Sequence, residues 1–154
     1  MDVKPLLRQL NLRPSKGRGQ SFLVDESVLD AILDAAEVSL QDTILEVGPG
    51  LGILTAALAQ RAGRVVAVEI EPRLAAHLRK SLAIFSHVQI VEGDILTLPE
   101  APQPPGGFPY KVVANIPYAI TSALLRHFLE SPSPPTRLVL MVQKEVGQRI
   151  VAAP

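Results

Sequence analysis

The sequence predicts an α/β protein with a doubly wound, mostly parallel sheet, and three observations predict it. Apolar, strand-like runs alternate with segments of helical period along the chain. One run, Thr43 to Val47, leads into Gly48-Pro49-Gly50-Leu51-Gly52, with glycine at every second position, as when a buried strand turns tightly into a helix. A second run, Arg64 to Glu69, closes on an acid about twenty residues further on, as the first βαβ unit of such a sheet does.

At 154 residues the chain is one domain in size. With no cysteine it has neither a disulfide framework nor a thiolate metal site, and His77, His87 and His127 lie too far apart to suggest ligand spacing, so no metal is expected. No apolar run reaches spanning length, and Met1-Asp2-Val3-Lys4-Pro5 lacks the apolar core of a signal peptide; no membrane partner and a cytoplasmic location are expected. Lys plus Arg, at 15, balances Asp plus Glu, at 15, so net charge gives no argument for nucleic acid. The distribution is uneven, however. Lys4, Arg8, Arg13, Lys16 and Arg18 face only Asp2 before position 19, which makes residues 1–24 a basic arm ahead of the domain at 25–154. A solvated tail is the other reading of that arm.

In order, residues 5–13 are compatible with a short amphipathic helix ended by Pro14. A polar, glycine-rich loop leads through Ser21-Phe22-Leu23-Val24 to Asp25, a candidate N-cap. Val28, Leu29, Ile32, Leu33 and Ala36 then recur with helical period. After the glycine loop, Ile53, Leu54, Ala57 and Leu58 give a helix that Gly63 is expected to end. The strand to Glu69 follows, and Pro72 opens the next helix, with Leu74, Leu78 and Leu82. Val88 to Val91 is a third strand, closed by Glu92-Gly93-Asp94. Tyr110 to Ala114 is a fourth, Ile120, Leu124, Leu125, Phe128 and Leu129 mark a helix, and Leu138 to Val142 is a fifth strand before a last helix. The proline-rich stretch 99–109 is a loop to which no function is assigned.

The glycine spacing bears on the ligand. A dinucleotide fingerprint wants glycine at its sixth position, which from Gly48 is Ile53. The acid at Glu46 suits a cationic ligand better than a pyrophosphate, and S-adenosylmethionine carries both a sulfonium and an ammonium. Glu69 is placed to accept from both ribose hydroxyls, or else to cap the helix at Pro72. Asp94 is placed beside an adenine, or else is a turn aspartate. The fourth strand runs into Asn115-Ile116-Pro117-Tyr118. An adenine amino group is a poor nucleophile because its lone pair is delocalised. The Asn115 side-chain oxygen and the Ile116 carbonyl can each accept one of its hydrogens, Pro117 holds them rigid, and Tyr118 offers a ring for an extracted base. These four are the catalytic candidates.

Four motifs, Gly19-Gln20-Ser21-Phe22-Leu23, Glu46-Val47-Gly48-Pro49-Gly50-Leu51-Gly52, Asn115-Ile116-Pro117-Tyr118 and Gln143-Lys144-Glu145-Val146, together resemble the KsgA-type rRNA adenine N6-dimethyltransferase family. The resemblance covers essentially the whole chain. It implies a Rossmann-like class I methyltransferase that uses S-adenosylmethionine to dimethylate two adjacent adenines in the 3′-terminal hairpin of small-subunit rRNA within an immature ribosomal subunit. Cofactor contacts carry over to Ser21, Leu23, Gly48, Gly50, Glu69, Asp94 and Asn115. The family has Asn or His where this chain has Ser21, whose reach is shorter. Lys16 and Arg18 are then candidates for RNA phosphates. The family continues through a last strand pair and a small helical domain; this sequence stops before both, so an exposed edge strand and self-association are expected. Two rival readings remain: a large-subunit rRNA methyltransferase of the macrolide-resistance type, similar through Asn115-Ile116-Pro117-Tyr118, and a non-catalytic rRNA-binding or assembly factor.

Overall fold

Burial of strands on both faces requires apolar side chains pointing both ways, and the strands of this chain satisfy that requirement. The computed structural model describes residues 25–98, 109–116 and 120–152, together with Pro5, Arg8 and Leu10. The elements are α1 (Glu26–Ala36), β1 (Thr43–Val47), α2 (Ile53–Ala59), β2 (Arg64–Glu69), α3 (Pro72–Ser81), β3 (Val88–Glu92), β4 (Lys111–Asn115), α4 (Thr121–Leu129), β5 (Arg137–Met141) and α5 (Lys144–Val151). The strands lie in the order β3-β2-β1-β4-β5. Each of the four pairings is parallel. Strand order reverses between β1 and its neighbours β2 and β4, so the crevice of such a sheet lies beyond the carboxyl ends of these three strands.

The pleat sorts β1 into two cores. Ile44 packs with Ile32, Leu33 and Ala36 of α1 and with Leu54 and Leu58 of α2. Leu45 and Val47 point the other way, into a core with Leu124 and Phe128 of α4 and Ile116. Local signals agree with this arrangement. Asp25 caps α1, its side chain accepting from Ser27 N at 2.9 Å, and Pro72 stands in the first turn of α3. The C-terminus of α1 closes on Glu37 at φ 46°. Lys111 Nζ donates to its carbonyl at 2.8 Å and Arg137 to its carboxylate at 2.9 Å, so two cations hold that helix end to β4 and β5.

One expectation needs correction. Helix α2 ends at Ala59, with Gln60 as its C-cap, so Gly63 does not terminate it. Gly63 is required for another reason: a Cβ there would lie 2.1 Å from the Leu40 carbonyl oxygen, so two backbones approach too closely for any side chain. Helix α4 runs through Leu124, Leu125, Phe128 and Leu129 as their spacing predicts, with Thr121, Leu124 and Phe128 buried and Leu129 exposed. Of the expected helix over 5–13 only Pro5, Arg8 and Leu10 are described, Pro5 and Arg8 as helical, and of the loop over 99–109 only Pro109; the rest lies outside the described residues.

The last two elements are less covered than the rest. Strand β5 is half-buried at every residue and, among the described residues, pairs with β4 alone. Helix α5 buries none of its residues and leaves Ile150 and Val151 exposed.

Candidate active site

The carboxyl end of β1 continues into a loop whose glycines at 48, 50 and 52 have φ of 67°, 59° and 83°. All three take the left-handed conformation, which accounts for the alternation. They differ in what surrounds them. A Cβ on Gly52 would meet Leu78 Cδ2 of α3 at 2.6 Å, whereas one on Gly48 would meet nothing within 4 Å. The loop is thus packed from behind at Gly52 and open at Gly48.

Its glycine N–H groups are already used. Gly48 N donates to Val68 O at 2.9 Å and Gly52 N to Pro49 O at 3.0 Å. Gly50 N donates to Glu69 Oε2 at 3.0 Å. The other oxygen of Glu69 accepts from Glu71 N at 2.9 Å. Glu69 therefore holds the glycine loop and the β2–α3 turn together and does not cap α3, whose N-cap is Glu71. Only 3% exposed, its carboxyl is pushed above the usual carboxylate range by burial, against the pull of the Glu71, Gly50 and Ile70 N–H groups.

A second acid lies beneath the loop. Glu46 is 1% exposed, on the α2-facing side of β1, in register with Ala67 of β2 and Val113 of β4. Among the described residues its Oε2 has no hydrogen-bond partner, and neither does the Thr55 hydroxyl of α2. Thr55 is close enough to favour the charged form, but burial dominates and the nearby Glu69 adds to it, so the Glu46 carboxyl is pushed up to about 8. The sequence shows the acid but not its isolation.

The remaining candidates lie along the same edge. Asp94, past the end of β3, accepts from Leu96 N through Oδ1 at 3.0 Å, and its carbonyl accepts from Thr97 N and Leu98 N, so it does shape a turn. Asn115 ends β4 on the other side of β1, half-buried and in register with Met141. Ile116 is in the core with Phe128 and Leu124, which fixes the peptide it belongs to. Gly48, Gly50 and Glu69 are thus brought together directly, with Asp94 and Asn115 flanking them one strand away on either side. Ser21, Leu23, Lys16, Arg18, Pro117 and Tyr118 lie outside the described residues. Sequence reasoning misses Ile70, a large apolar side chain 64% exposed directly after Glu69 on the same edge. Its signal is there to be read: an apolar residue following a strand-end acid has no core to enter. Among the described residues no group of acids and histidines could hold a metal ion, and no helix is long and apolar enough to cross a membrane.

The chemistry of this edge is acidic, and its glycine N–H groups are spent on the protein itself. That argues against a pyrophosphate site and leaves room for a cation-bearing ligand beside Gly48. The chain is similar to known proteins in sequence and in fold. The chain is 46% identical over 150 residues to ribosomal RNA small subunit methyltransferase A of Dehalococcoides mccartyi, covering 97% of this chain and 52% of that protein. It thus spans about half the length of the curated relatives it matches. The fold superposes on a dimethyladenosine transferase from Plasmodium falciparum with a TM-score of 0.75, at 30% identity over 86% of this chain and 47% of the other. It also superposes on the 23S rRNA methyltransferase ErmE with a TM-score of 0.72, at 37% identity over 83% of this chain and 50% of that one. The model of one family, ribosomal RNA adenine dimethylase, matches residues 11–154. A match over that much of the sequence, on a parallel sheet of this order, shows that the chain belongs to the ribosomal RNA adenine dimethylase family.

Proposed function

We propose that this chain is the catalytic part of an S-adenosylmethionine-dependent enzyme that dimethylates N6 of two adjacent adenines in the 3′-terminal hairpin of small-subunit rRNA. It would act in the cytoplasm on an immature ribosomal subunit. The observation that carries the reading is the clamp of Glu69 on Gly50 beneath an open Gly48. The Glu69 carboxylate oxygens accept from Gly50 N and Glu71 N and, in this proposal, also from the ribose hydroxyls. The residues fit the cofactor on two counts. The space beside Gly48 admits a ligand close to the backbone, and the buried, partnerless Glu46 Oε2 supplies the counter-charge for its cationic end.

The cofactor supplies an electrophilic methyl group on a sulfonium. In this proposal Gly48, Gly50 and Glu69 hold its ribose end, Asp94 accepts from the adenine amino group, Ile70 lends an apolar face to that base, and Ser21 and Leu23 close over it. Asn115 and the Ile116 carbonyl accept the hydrogens of the target amino group, which keeps its lone pair on nitrogen. Pro117 holds that geometry and Tyr118 stacks on the target base. Lys16 and Arg18 of the arm at 1–24 meet RNA phosphates, and 25–154 forms the methyltransferase unit.

A second reading, methylation of large-subunit rRNA, is favoured by the likeness to ErmE. Curated relatives at 46% and 47% identity named as small-subunit enzymes outweigh it. Calorimetry with S-adenosylmethionine against NAD tests the cofactor, with binding of the former alone expected. Methyl transfer by a chain extended to the length of the relatives, assayed on immature small subunits and on large-subunit rRNA, then tests the substrate. Transfer to the large-subunit RNA alone would reverse the assignment.

A further inference from the structure

Glu46 and Glu69 share one face of the sheet. Glu46 is in register with Ala67, and Glu69 follows Ala67 by two residues on the same strand, so both carboxyl groups project toward the side that α2 covers. The two differ in their partners. Glu69 receives two N–H donors. Glu46 is buried opposite Thr55, and Glu46 Oε2 and the Thr55 hydroxyl both lack a hydrogen bond. A charged, solvent-excluded carboxylate without a donor is costly, while a neutral carboxyl in the same place is tolerable.

We propose that Glu46 is a proton-linked counter-ion, protonated while the glycine loop is empty and ionised when a cationic ligand sits on that loop. This rests on the reading of the ligand as S-adenosylmethionine. The step is a single proton transfer: the Glu46 O–H bond breaks, its proton passes to solvent buffer, and the carboxylate faces the ligand's positive charge. Thr55, whose hydroxyl lies close to Glu46 and has no other hydrogen-bond partner among the described residues, is placed to donate to the new carboxylate. Burial, reinforced by the nearby Glu69, pushes the free carboxyl up to about 8 and so favours its neutral form at pH 7.

The surrounding charges leave Glu46 isolated. On β2 the charged neighbour is Glu69, which opposes ionisation. On α1, Asp30 and Asp34 face Arg61 at the surface, at 3.5 and 3.6 Å. On β4, Lys111 is bound to Asp42 at 2.9 Å, at the opposite end of the sheet. No described cation is therefore placed to neutralise Glu46, and the ligand takes that role.

Calorimetry of S-adenosylmethionine binding at pH 7, in buffers of different ionisation enthalpy, counts the protons released. The ligand's own amine titrates near the α-amino range, about 7.7–8.0, so the quantity read is the difference between the parent and Glu46→Gln. Close to one extra proton is expected from the parent, together with an affinity that rises about tenfold per pH unit below the Glu46 titration and is flat in the variant apart from the shared amine. Equal proton release in both chains overturns the proposal and leaves the cofactor reading standing. Absence of binding at every pH overturns both. Should Glu46→Gln fail to fold, carboxyl-carbon NMR of the parent decides: the Glu46 resonance must titrate near 8 when free and well below neutrality when saturated, and an unmoved midpoint refutes the linkage.

Discussion

Glu69 accepts N–H groups from two loops that belong to different βα units, so one side chain sets the shape of both walls of the crevice. Glu69→Ala leaves Gly50 N and Glu71 N without that partner and removes the proposed ribose acceptors. Cofactor affinity should fall by about 1–3 kcal/mol, the cost of polar groups left unpaired. Titration calorimetry checks this, and an unchanged affinity would show that the ribose lies elsewhere. Glu46 gives a prediction of a different kind, about stability. Unfolded, it releases its proton near 4.5; folded, it keeps it to about 8. The unfolded state binds fewer protons between those values, so this residue lowers stability as the pH rises through that window, at roughly 1.4 kcal/mol per pH unit. Urea unfolding of Glu46→Gln should therefore show a smaller fall in stability over that range than the parent, by about a few kcal/mol. Identical pH dependence would mean that Glu46 is ionised in the folded chain. Sequence alone exposes the types and order of these acids, because carboxylates at strand ends are conspicuous among apolar residues. It does not expose their isolation, since the burial of Glu46 and the unpaired hydroxyl of Thr55 depend on how α2 lies across β1.

At the scale of elements, the glycine loop joins β1 to a short helix, and its glycines separate two demands. Gly48 needs only its backbone angle, while Gly52 also needs empty space against Leu78. Gly52→Ala should thus destabilise the fold more than Gly48→Ala. Both variants carry left-handed strain, and overpacking of about 1–3 kcal/mol falls on the Gly52 variant alone. Thermal unfolding of the two variants tests the order, and equal losses would mean that α3 yields freely at Leu78. Elements are legible wherever period and composition agree: β2 and β4 contain continuous apolar runs, β1 one interrupted by Glu46, and Asp25 and Pro72 mark helix starts by chemistry alone. They are misread where one letter serves two purposes. Gly63 looks like a helix stop but permits a close backbone contact with Leu40.

For the whole molecule, coverage falls from the centre of the sheet toward β5. Strands β1, β2 and β4 bury their apolar residues almost completely, whereas β5 stays half-buried throughout and α5 shields none of its own apolar residues. A half-covered parallel strand offers unpaired main-chain groups beside apolar side chains, and such an edge recruits another strand. The curated relatives extend to about twice the length matched here. Two consequences are expected of the 154-residue chain. It should bind S-adenosylmethionine, because β4 separates the Glu69 clamp and the glycine loop from β5. It should also self-associate with rising concentration in sedimentation velocity, and replacing the exposed Ile150 and Val151 by lysine should reduce that association without changing cofactor affinity. A chain extended to the length of the relatives should sediment as a monomer under the same conditions. A monomeric short chain that methylates RNA at the full-length rate would show instead that β5 and α5 are sufficiently covered as they stand.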